Sequence, residues 1–79
     1  MAAPTAPATA TATVLNVDFD REEDGRWIAE VPELPGVLVY GKSREEALTR
    51  VVALGLRVLA DKVEHGEAEP LSVVFAIRE

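Results

Sequence analysis

The stretch DGRWIAEVPELPGVLVYG, residues 24–41, carries most of the information about the fold of this chain. Its opening Asp-Gly pair predicts a tight turn, because both residue types tolerate the backbone conformations that such turns need. A short strand with alternating side chains follows, and the segment PELPG at 32–36 then predicts a rigid corner. The two prolines fix φ and lack amide donors, whereas the glycine frees the exit angle. A further strand follows the corner and stops at Gly41.

The segment KSREEAL, residues 42–48, predicts the start of a helix. Ser43 and Glu46 have the spacing of a capping box, in which the two side chains satisfy backbone amides at the helix N-terminus. Apolar residues then recur at steps of three and four up to about Glu64, which predicts one amphipathic helix. The apolar stripe consists of Ala47, Leu48, Val51, Leu54, Val58 and Leu59.

Two glycines refine this prediction for the helix. Gly66 stands where helices commonly end with a residue in the left-handed conformation, and we expect it to have that role. Gly55 lies within the apolar stripe, where glycine costs about 1 kcal/mol relative to alanine. We therefore expect Gly55 to allow the helix a close approach to the sheet or to a second subunit.

Strand patterns lie on both sides of this region. Residues 14–20 alternate apolar and polar side chains, as a half-buried strand does, and residues 26–31 do the same. Residues 37–40 form a third strand without clear alternation, which predicts burial on both faces or an interface. A last strand extends over residues 71–77, directly after Pro70.

Connection rules convert this order of elements into a topology. Three sequential strands with short connections form an antiparallel meander, and a right-handed helical crossover sets the fourth strand beside the first and parallel to it. The predicted fold class is α+β, a two-layer sandwich of order β-β-β-α-β with strand order 3-2-1-4 and one helix on one face. The second face of the sheet stays uncovered and is a candidate oligomer or partner surface. On it we expect Val14, Ile28, Val74 and Ala76 beside Asn16, Glu30 and Ser72.

Length and composition narrow the functional classes. A chain of 79 residues forms one domain at most, and such a domain buries only about 60% of its unfolded surface. Cysteine is absent, so neither a disulfide nor a thiolate metal site can supplement the core. We expect self-association, as a dimer or tetramer, to supplement the small core. A cysteine-free chain also suits the reducing cytoplasm.

The charge of the chain points to a protein partner. The net charge of −6 argues against direct nucleic-acid binding, which needs clustered Lys and Arg. Acidic domains attract proteins with basic faces, so a basic protein is the expected partner.

No apolar run approaches the ~20 residues that span a bilayer, and the N-terminus lacks the pattern of a signal peptide. We expect neither membrane insertion nor export.

The chain divides into a tail and a domain. Residues 1–12, MAAPTAPATATA, are low-complexity Ala, Thr and Pro with no charge. Such a segment cannot bury enough apolar surface to offset the entropy of ordering, so we expect a disordered tail. The folded domain is expected to occupy residues 13–79.

Catalytic chemistry has weak support in the sequence. Five carboxylates lie close together on a strand end and its turn, at positions 18, 20, 22, 23 and 24. A two-metal nuclease needs carboxylates that converge from separate elements, so we interpret this cluster as a solvated acidic turn. The one histidine, His65, follows the helix with no Ser or Cys nucleophile placed to partner it, so an interaction with the helix dipole is expected. We predict no catalytic residue, no metal site and no cofactor.

The ordered motifs resemble the HicB-like antitoxins of bacterial and archaeal toxin–antitoxin systems, whose pattern reads dGrwiAevPeLPGv…GdSreEAl. The resemblance covers nearly everything from Val14 to Ile77. Its most specific parts are Asp24, Gly25, Arg26, Trp27, Ala29, Val31, Pro32, Leu34, Pro35, Gly36, Gly41, Ser43, Glu46, Ala47, His65, Gly66 and Glu67.

This resemblance implies a truncated ribonuclease-H-like topology and a partner of the HicA type, a small basic ribonuclease toxin that the antitoxin masks. Two features differ from many family members. Those members carry a C-terminal DNA-binding module, whereas this chain ends at Glu79, and they have a cysteine where Val37 stands. The chain is therefore similar to the short, stand-alone HicB-like proteins, and direct promoter binding is not expected.

Several functional alternatives follow from these observations. One is an orphan HicB-like protein-interaction or regulatory domain without a toxin, and another is a divergent ribonuclease-H-like nuclease. Trp27 can serve the core or an interface, and Leu34 can lie beneath the proline corner or meet a partner. The residues expected to bind the partner are Trp27, Glu30, Leu34, Pro35 and Tyr40.

Overall fold

The computed structural model of the chain describes residues 13–67 and 72–78. Four strands and one helix lie within them: β1 (Thr13–Arg21), β2 (Trp27–Glu30), β3 (Leu38–Gly41), α1 (Arg44–Glu64) and β4 (Val73–Ile77). The expected tail at 1–12 and the expected start of the last strand at Leu71 lie outside the described residues. The predicted element order is confirmed.

The strands form one mixed sheet in the order β3-β2-β1-β4. The pairs β1–β2 and β2–β3 are antiparallel, whereas β1 and β4 are parallel. β1 is longer than its neighbours and divides its pairing between them, since residues 13–17 pair with β4 and residues 18–21 pair with β2. This topology confirms the predicted α+β fold with one helix on the sheet.

The helix packs against one face of the sheet and creates the core. It lies mainly over β3 and β2. The buried apolar side chains are Leu15, Val17, Ala29, Val31, Leu34, Val37, Ala47, Val51 and Leu59. The predicted stripe of α1 therefore faces the sheet, with Leu48, Leu54 and Val58 partly buried beside it. No buried polar side chain occurs in the described part of the chain.

Both ends of α1 are capped by local sequence. The Ser43 hydroxyl accepts a hydrogen bond from the Glu46 amide at 3.0 Å, and the Glu46 carboxylate accepts one from the Lys42 amide at 2.7 Å. At the other end Gly66 has φ +72°, and the amides of Gly66 and Glu67 donate to carbonyls of the last helical turn. This is the Schellman arrangement, and it confirms the role predicted for Gly66.

Among the described residues, no helix combines the length and apolarity of a membrane span.

Two glycines allow close packing between the helix and the sheet. A Cβ built on Gly55 would lie 3.3 Å from Cε1 of Phe75 and 3.8 Å from Cδ1 of Leu34. A Cβ on Gly41 would lie 2.5 Å from the backbone nitrogen of Ala47. The sequence predicted the close approach at Gly55, whereas the tighter one at Gly41 becomes visible only in the folded chain.

The PELPG corner joins β2 to β3 through three backbone hydrogen bonds of about 3.0 Å. Gly36 adopts φ +86°, a conformation that glycine permits at no steric cost. Leu34 is only 6% exposed, so its side chain lies beneath the corner in the core. β3, however, is not buried on both faces, because Leu38 and Tyr40 are exposed on the side away from the helix. Alternation was hidden in the sequence because all four residues from Val37 to Tyr40 are apolar or aromatic.

Candidate partner interface on the open sheet face

The face of the sheet opposite α1 has no cover among the described residues, and we call it the open face. Strand pairing decides which side chains share it, because successive residues of a strand point to opposite faces. Its members are Val14, Asn16, Asp18 and Asp20 of β1, Ile28 and Glu30 of β2, Leu38 and Tyr40 of β3, and Val74 and Ala76 of β4. Six of the seven residues that the sequence predicted for this face lie on it within the strands, and the seventh, Ser72, directly precedes β4.

Carboxylates occupy the centre of the open face. Asp18 and Glu30 lie directly opposite each other in the β1–β2 register. Like charges in such a position destabilise a sheet, and Arg78 relieves the repulsion because its Nε lies 2.9 Å from Oδ1 of Asp18. Glu30 and Asp20 take part in no ion pair within the described residues, so their negative charge is directed to solvent.

An apolar and aromatic row adjoins these carboxylates. In the register, Asp20 pairs with Ile28 and Ile28 pairs with Tyr40, which places the three side chains side by side. The guanidinium carbon of Arg26 lies 4.6 Å from the centroid of the Tyr40 ring, within cation–π range. Leu38 continues the row and is 45% exposed. Carboxylates beside exposed apolar side chains suit contact with a cationic protein better than contact with a nucleic-acid backbone.

The acidic turn between β1 and β2 extends the negative surface beyond the start of β2. Glu22, Glu23, Asp24 and Arg26 line a shallow depression of about 360 Å³. Gly25 has φ +92° there, as the Asp-Gly signal predicts. The Arg26 amide donates to the Asp24 carboxylate at 3.1 Å, and this bond, aided by the charge of Arg26, holds the pKa of Asp24 below its ordinary value of 3.8. Asp24 therefore keeps its negative charge further into the acidic range than an ordinary aspartate does.

Glu33 in the proline corner binds the free edge of β1. Residues 13–17 lack a strand partner on the β2 side, because β2 ends at Glu30. The Glu33 carboxylate fills this gap by accepting hydrogen bonds from the backbone amide of Asn16 at 3.0 Å and from its side-chain amide. The side-chain bond is the main reason that the pKa of Glu33 lies below its ordinary value of 4.5. The corner is thus tied to β1 as well as to β2 and β3.

Replacing Glu33 by glutamine should lower stability at neutral pH and weaken its dependence on acid. A lowered folded-state pKa means that the carboxylate stabilises the fold above pH 4.5 and that this contribution disappears as pH falls through the folded value. The difference in free energy of unfolding between wild type and Glu33→Gln should therefore shrink on acidification. Urea unfolding at pH 7, 5 and 3 measures it, with Glu23→Gln in the exposed turn as the control. A difference that does not change with pH would contradict the assignment.

The geometry bears on the nuclease alternative. The five carboxylates at 18, 20, 22, 23 and 24 follow one strand end and its turn, and Asp18 and Asp24 are each engaged with an arginine. No group of three or more His, Cys, Asp or Glu side chains within residues 13–67 and 72–78 converges to hold a metal ion. His65 lies at the helix end, where its Nδ1 is 2.7 Å from the Asp61 carbonyl oxygen. Its position matches the predicted interaction with the helix terminus.

The five residues expected to bind a partner do not form a single surface. Glu30 and Tyr40 share the open face, and Pro35 is exposed at the corner. Trp27 points to the helix side, where its ring meets Phe19 edge-to-face at 6.4 Å between centroids. Leu34 is a core residue, so its side chain is not presented to a partner.

Sequence reasoning missed several members of the open face. Leu38 was not among the expected contact residues, although it lies two positions from Tyr40 and shares its side of β3. Asp20 was interpreted only as part of the turn, whereas the register places it beside Ile28. The spacing of two along a strand was the signal for Leu38, but the position of Asp20 depends on a hairpin register that composition does not reveal.

Comparison with known proteins adds no relative. No protein-family model, curated protein or solved structure gives a significant match to the chain. The resemblance to HicB-like antitoxins therefore stays a prediction from the motifs quoted above, and the function is argued from residues and geometry.

Proposed function

We propose that this chain is a non-enzymatic antitoxin that binds and masks a small basic ribonuclease of the HicA type. The observation that carries the proposal is the arrangement of Asp20 and Glu30 beside the half-buried Ile28 and the exposed side chains of Leu38 and Tyr40. Carboxylates attract and orient a cationic surface, and the apolar row supplies area that can be dehydrated on contact. The resemblance of residues 24–67 to the HicB-like pattern supports the same class of partner.

Masking follows from charge and size. A ribonuclease that binds RNA presents a basic face, and an acidic protein placed on that face excludes the substrate by occupying its site. The chain carries 14 acidic and 8 basic side chains, and part of this excess lies on the open face and the adjoining turn. Long-range attraction of this kind raises association rates and makes them fall steeply with added salt.

Co-expression tests the proposal in cells. The candidate toxin is the product of a short reading frame beside the gene for this chain, if that product is basic. We expect it to arrest growth alone, and we expect this chain to restore growth and to co-purify with it. A product that arrests growth without rescue or co-purification would contradict the antitoxin function. A harmless neighbour would favour the orphan interaction domain.

Charge reversal tests the open face in solution. The double variant Asp20→Lys/Glu30→Lys should lower the association rate with the toxin by about tenfold or more and flatten its salt dependence. Glu45→Lys/Asp61→Lys changes net charge equally on exposed positions of α1 and is the matched control. Stopped-flow binding at several salt concentrations measures both variants. If both double variants lower the association rate equally, the rate depends on net charge and not on the carboxylates of the open face.

The nuclease alternative has its own measurement. Purified protein incubated with RNA and Mg²⁺ or Mn²⁺ should leave the RNA intact. Cleavage that requires the metal and disappears in Asp18→Asn or Asp20→Asn would replace the antitoxin proposal with a catalytic one.

A further inference from the structure

The outer edge of β4 presents a row of backbone groups that no strand pairs within the described residues. On its inner side β4 pairs in parallel with residues 13–17 of β1. The strand reads VVFAI and contains no charged residue, proline or glycine. An uncharged edge of this kind is a template for pairing with another chain.

The direction of each backbone group follows from two hydrogen bonds. The Thr13 amide donates to the Ser72 carbonyl at 2.9 Å, and the Arg78 amide donates to the Val17 carbonyl at 3.0 Å. Because backbone groups alternate in direction along a strand, even-numbered residues from 72 to 78 direct theirs towards β1. Val73, Phe75 and Ile77 therefore direct their N–H and C=O groups outwards.

The opposite edge of the sheet, β3, is protected in contrast. Its outward groups belong to Leu38 and Tyr40, since Val37 bonds inwards to Val31. The Leu38 amide donates to the Gly36 carbonyl at 3.2 Å, and Nη1 of Arg50 donates to the Tyr40 carbonyl at 2.9 Å. Side-chain and local bonds thus occupy groups through which another strand would pair. The β4 edge is therefore more available for pairing with another strand than the β3 edge is.

We propose that the outer edge of β4 pairs antiparallel with β4 of a second copy, about a two-fold axis through Phe75. In this register Val73 faces Ile77 of the other copy, and Phe75 faces its own equivalent. All three outward residues of each copy are then in hydrogen-bonded positions, and about six inter-chain bonds form. The outward-directed residues Val73, Phe75 and Ile77 are arranged symmetrically about Phe75. Two copies can therefore meet through the same surface, as an isologous contact requires.

A second copy suits this edge better than a charged partner. Two chains of net charge −6 repel each other, so their contact is expected at an uncharged segment, and β4 is uncharged. On the open face Val74 would lie opposite Ala76 of the other copy, which shields a valine that is 48% exposed. Val73 and Ile77 would meet on the helix side, where Ile77 is 45% exposed. The resulting eight-stranded sheet leaves Glu30 and Tyr40 of both copies accessible, so dimerisation does not depend on the proposed antitoxin function.

Variants at Ile77 test the pairing in the full-length chain. Ile77→Pro removes an outward amide and leaves the β1 ladder intact, because proline is tolerated where the missing N–H faces away from the sheet. By symmetry the dimer loses two bonds, so its dissociation constant should rise about 30-fold. Ile77→Lys should likewise oppose pairing through charge, whereas Leu56→Lys on α1, of similar exposure, should leave it unchanged. Sedimentation velocity measures the constants, and circular dichroism confirms that each variant is folded.

A cross-link tests the register itself. Val74 and Ala76 of opposite copies form a non-hydrogen-bonded pair, in which Cα atoms are about 4.5 Å apart and a disulfide can form. The chain has no native cysteine, so the double variant Val74→Cys/Ala76→Cys should oxidise to a covalent dimer. Val74→Cys alone should cross-link poorly, because position 74 of one copy lies opposite position 76 of the other copy and only diagonally from its position 74.

The outcomes separate the edge from other modes of association. A dimer that weakens in both Ile77 variants and cross-links in the double cysteine variant supports the pairing. A wild type that sediments as an 8.5 kDa monomer at high concentration overturns it. A dimer that persists in both Ile77 variants but is lost in Leu38→Lys would assign the contact to the open face and would overturn it as well.

Discussion

Replacing Gly41 by alanine is expected to lower the free energy of unfolding by about 3 kcal/mol or more. The new methyl group would lie 2.5 Å from the backbone nitrogen and 2.9 Å from the Cα of Ala47. Neither atom can move without displacing the first turn of α1, which its capping bonds hold in place. Small domains have only about 0.05–0.15 kcal/mol of net stability per residue, so this loss is a large share of the total.

Gly55→Ala provides the matched control for this prediction. Its methyl group would meet Phe75 Cε1 at 3.3 Å, the far end of a side chain that can shift. Alanine also improves helix propensity by about 1 kcal/mol, which offsets the tighter contact. We expect little net change in stability. Urea unfolding of the two variants at one fixed protein concentration compares them, and equal destabilisation would contradict the reason given for Gly41.

Replacing Leu34 by alanine is expected to cost about 3 kcal/mol of stability. The side chain is 6% exposed beneath the proline corner and approaches Gly55 of α1, so its removal leaves a cavity between the corner and the helix. The corner cannot collapse readily into that space, because its prolines and three backbone hydrogen bonds restrict it.

Leu38→Ala is the comparison for Leu34, since the two leucines lie four positions apart. Leu38 is 45% exposed on the open face, so its truncation should cost less than about 1 kcal/mol. The measurement is again the free energy of unfolding. If both variants lose the same stability, the corner does not depend on the buried leucine.

Features with local causes were predictable from the sequence. The capping box at Ser43, the left-handed Gly66 and the Asp-Gly turn each depend on residues within a few positions of one another. The strand order followed from connection rules applied to those elements. Long-range polar contacts were not predictable, because the pair Arg78–Asp18 and the bonds from Asn16 to Glu33 join residues far apart in the chain.

The candidate interface was predictable only in outline. Alternation along β1 and β4 placed Val14 and Val74 on the uncovered face, and the structure has them there, about half exposed. Trp27 and Tyr40 were expected to act together, yet the β2–β3 register directs them to opposite sides of the sheet. A shift of one residue in register exchanges the faces of every side chain, and residues 37–40 offer no alternation from which the face of Tyr40 could be determined.

The divided pairing of β1 has a consequence for how the domain is assembled. Its C-terminal half belongs to the local meander, whereas its N-terminal half is completed by β4, about 60 positions later in the chain. Closing so long a loop has an entropic cost that the meander and helix do not share. We therefore expect the meander and the helix to form before β4 pairs with β1. The strand that offers its edge to a second chain is thus the one whose pairing within the single chain closes the longest loop.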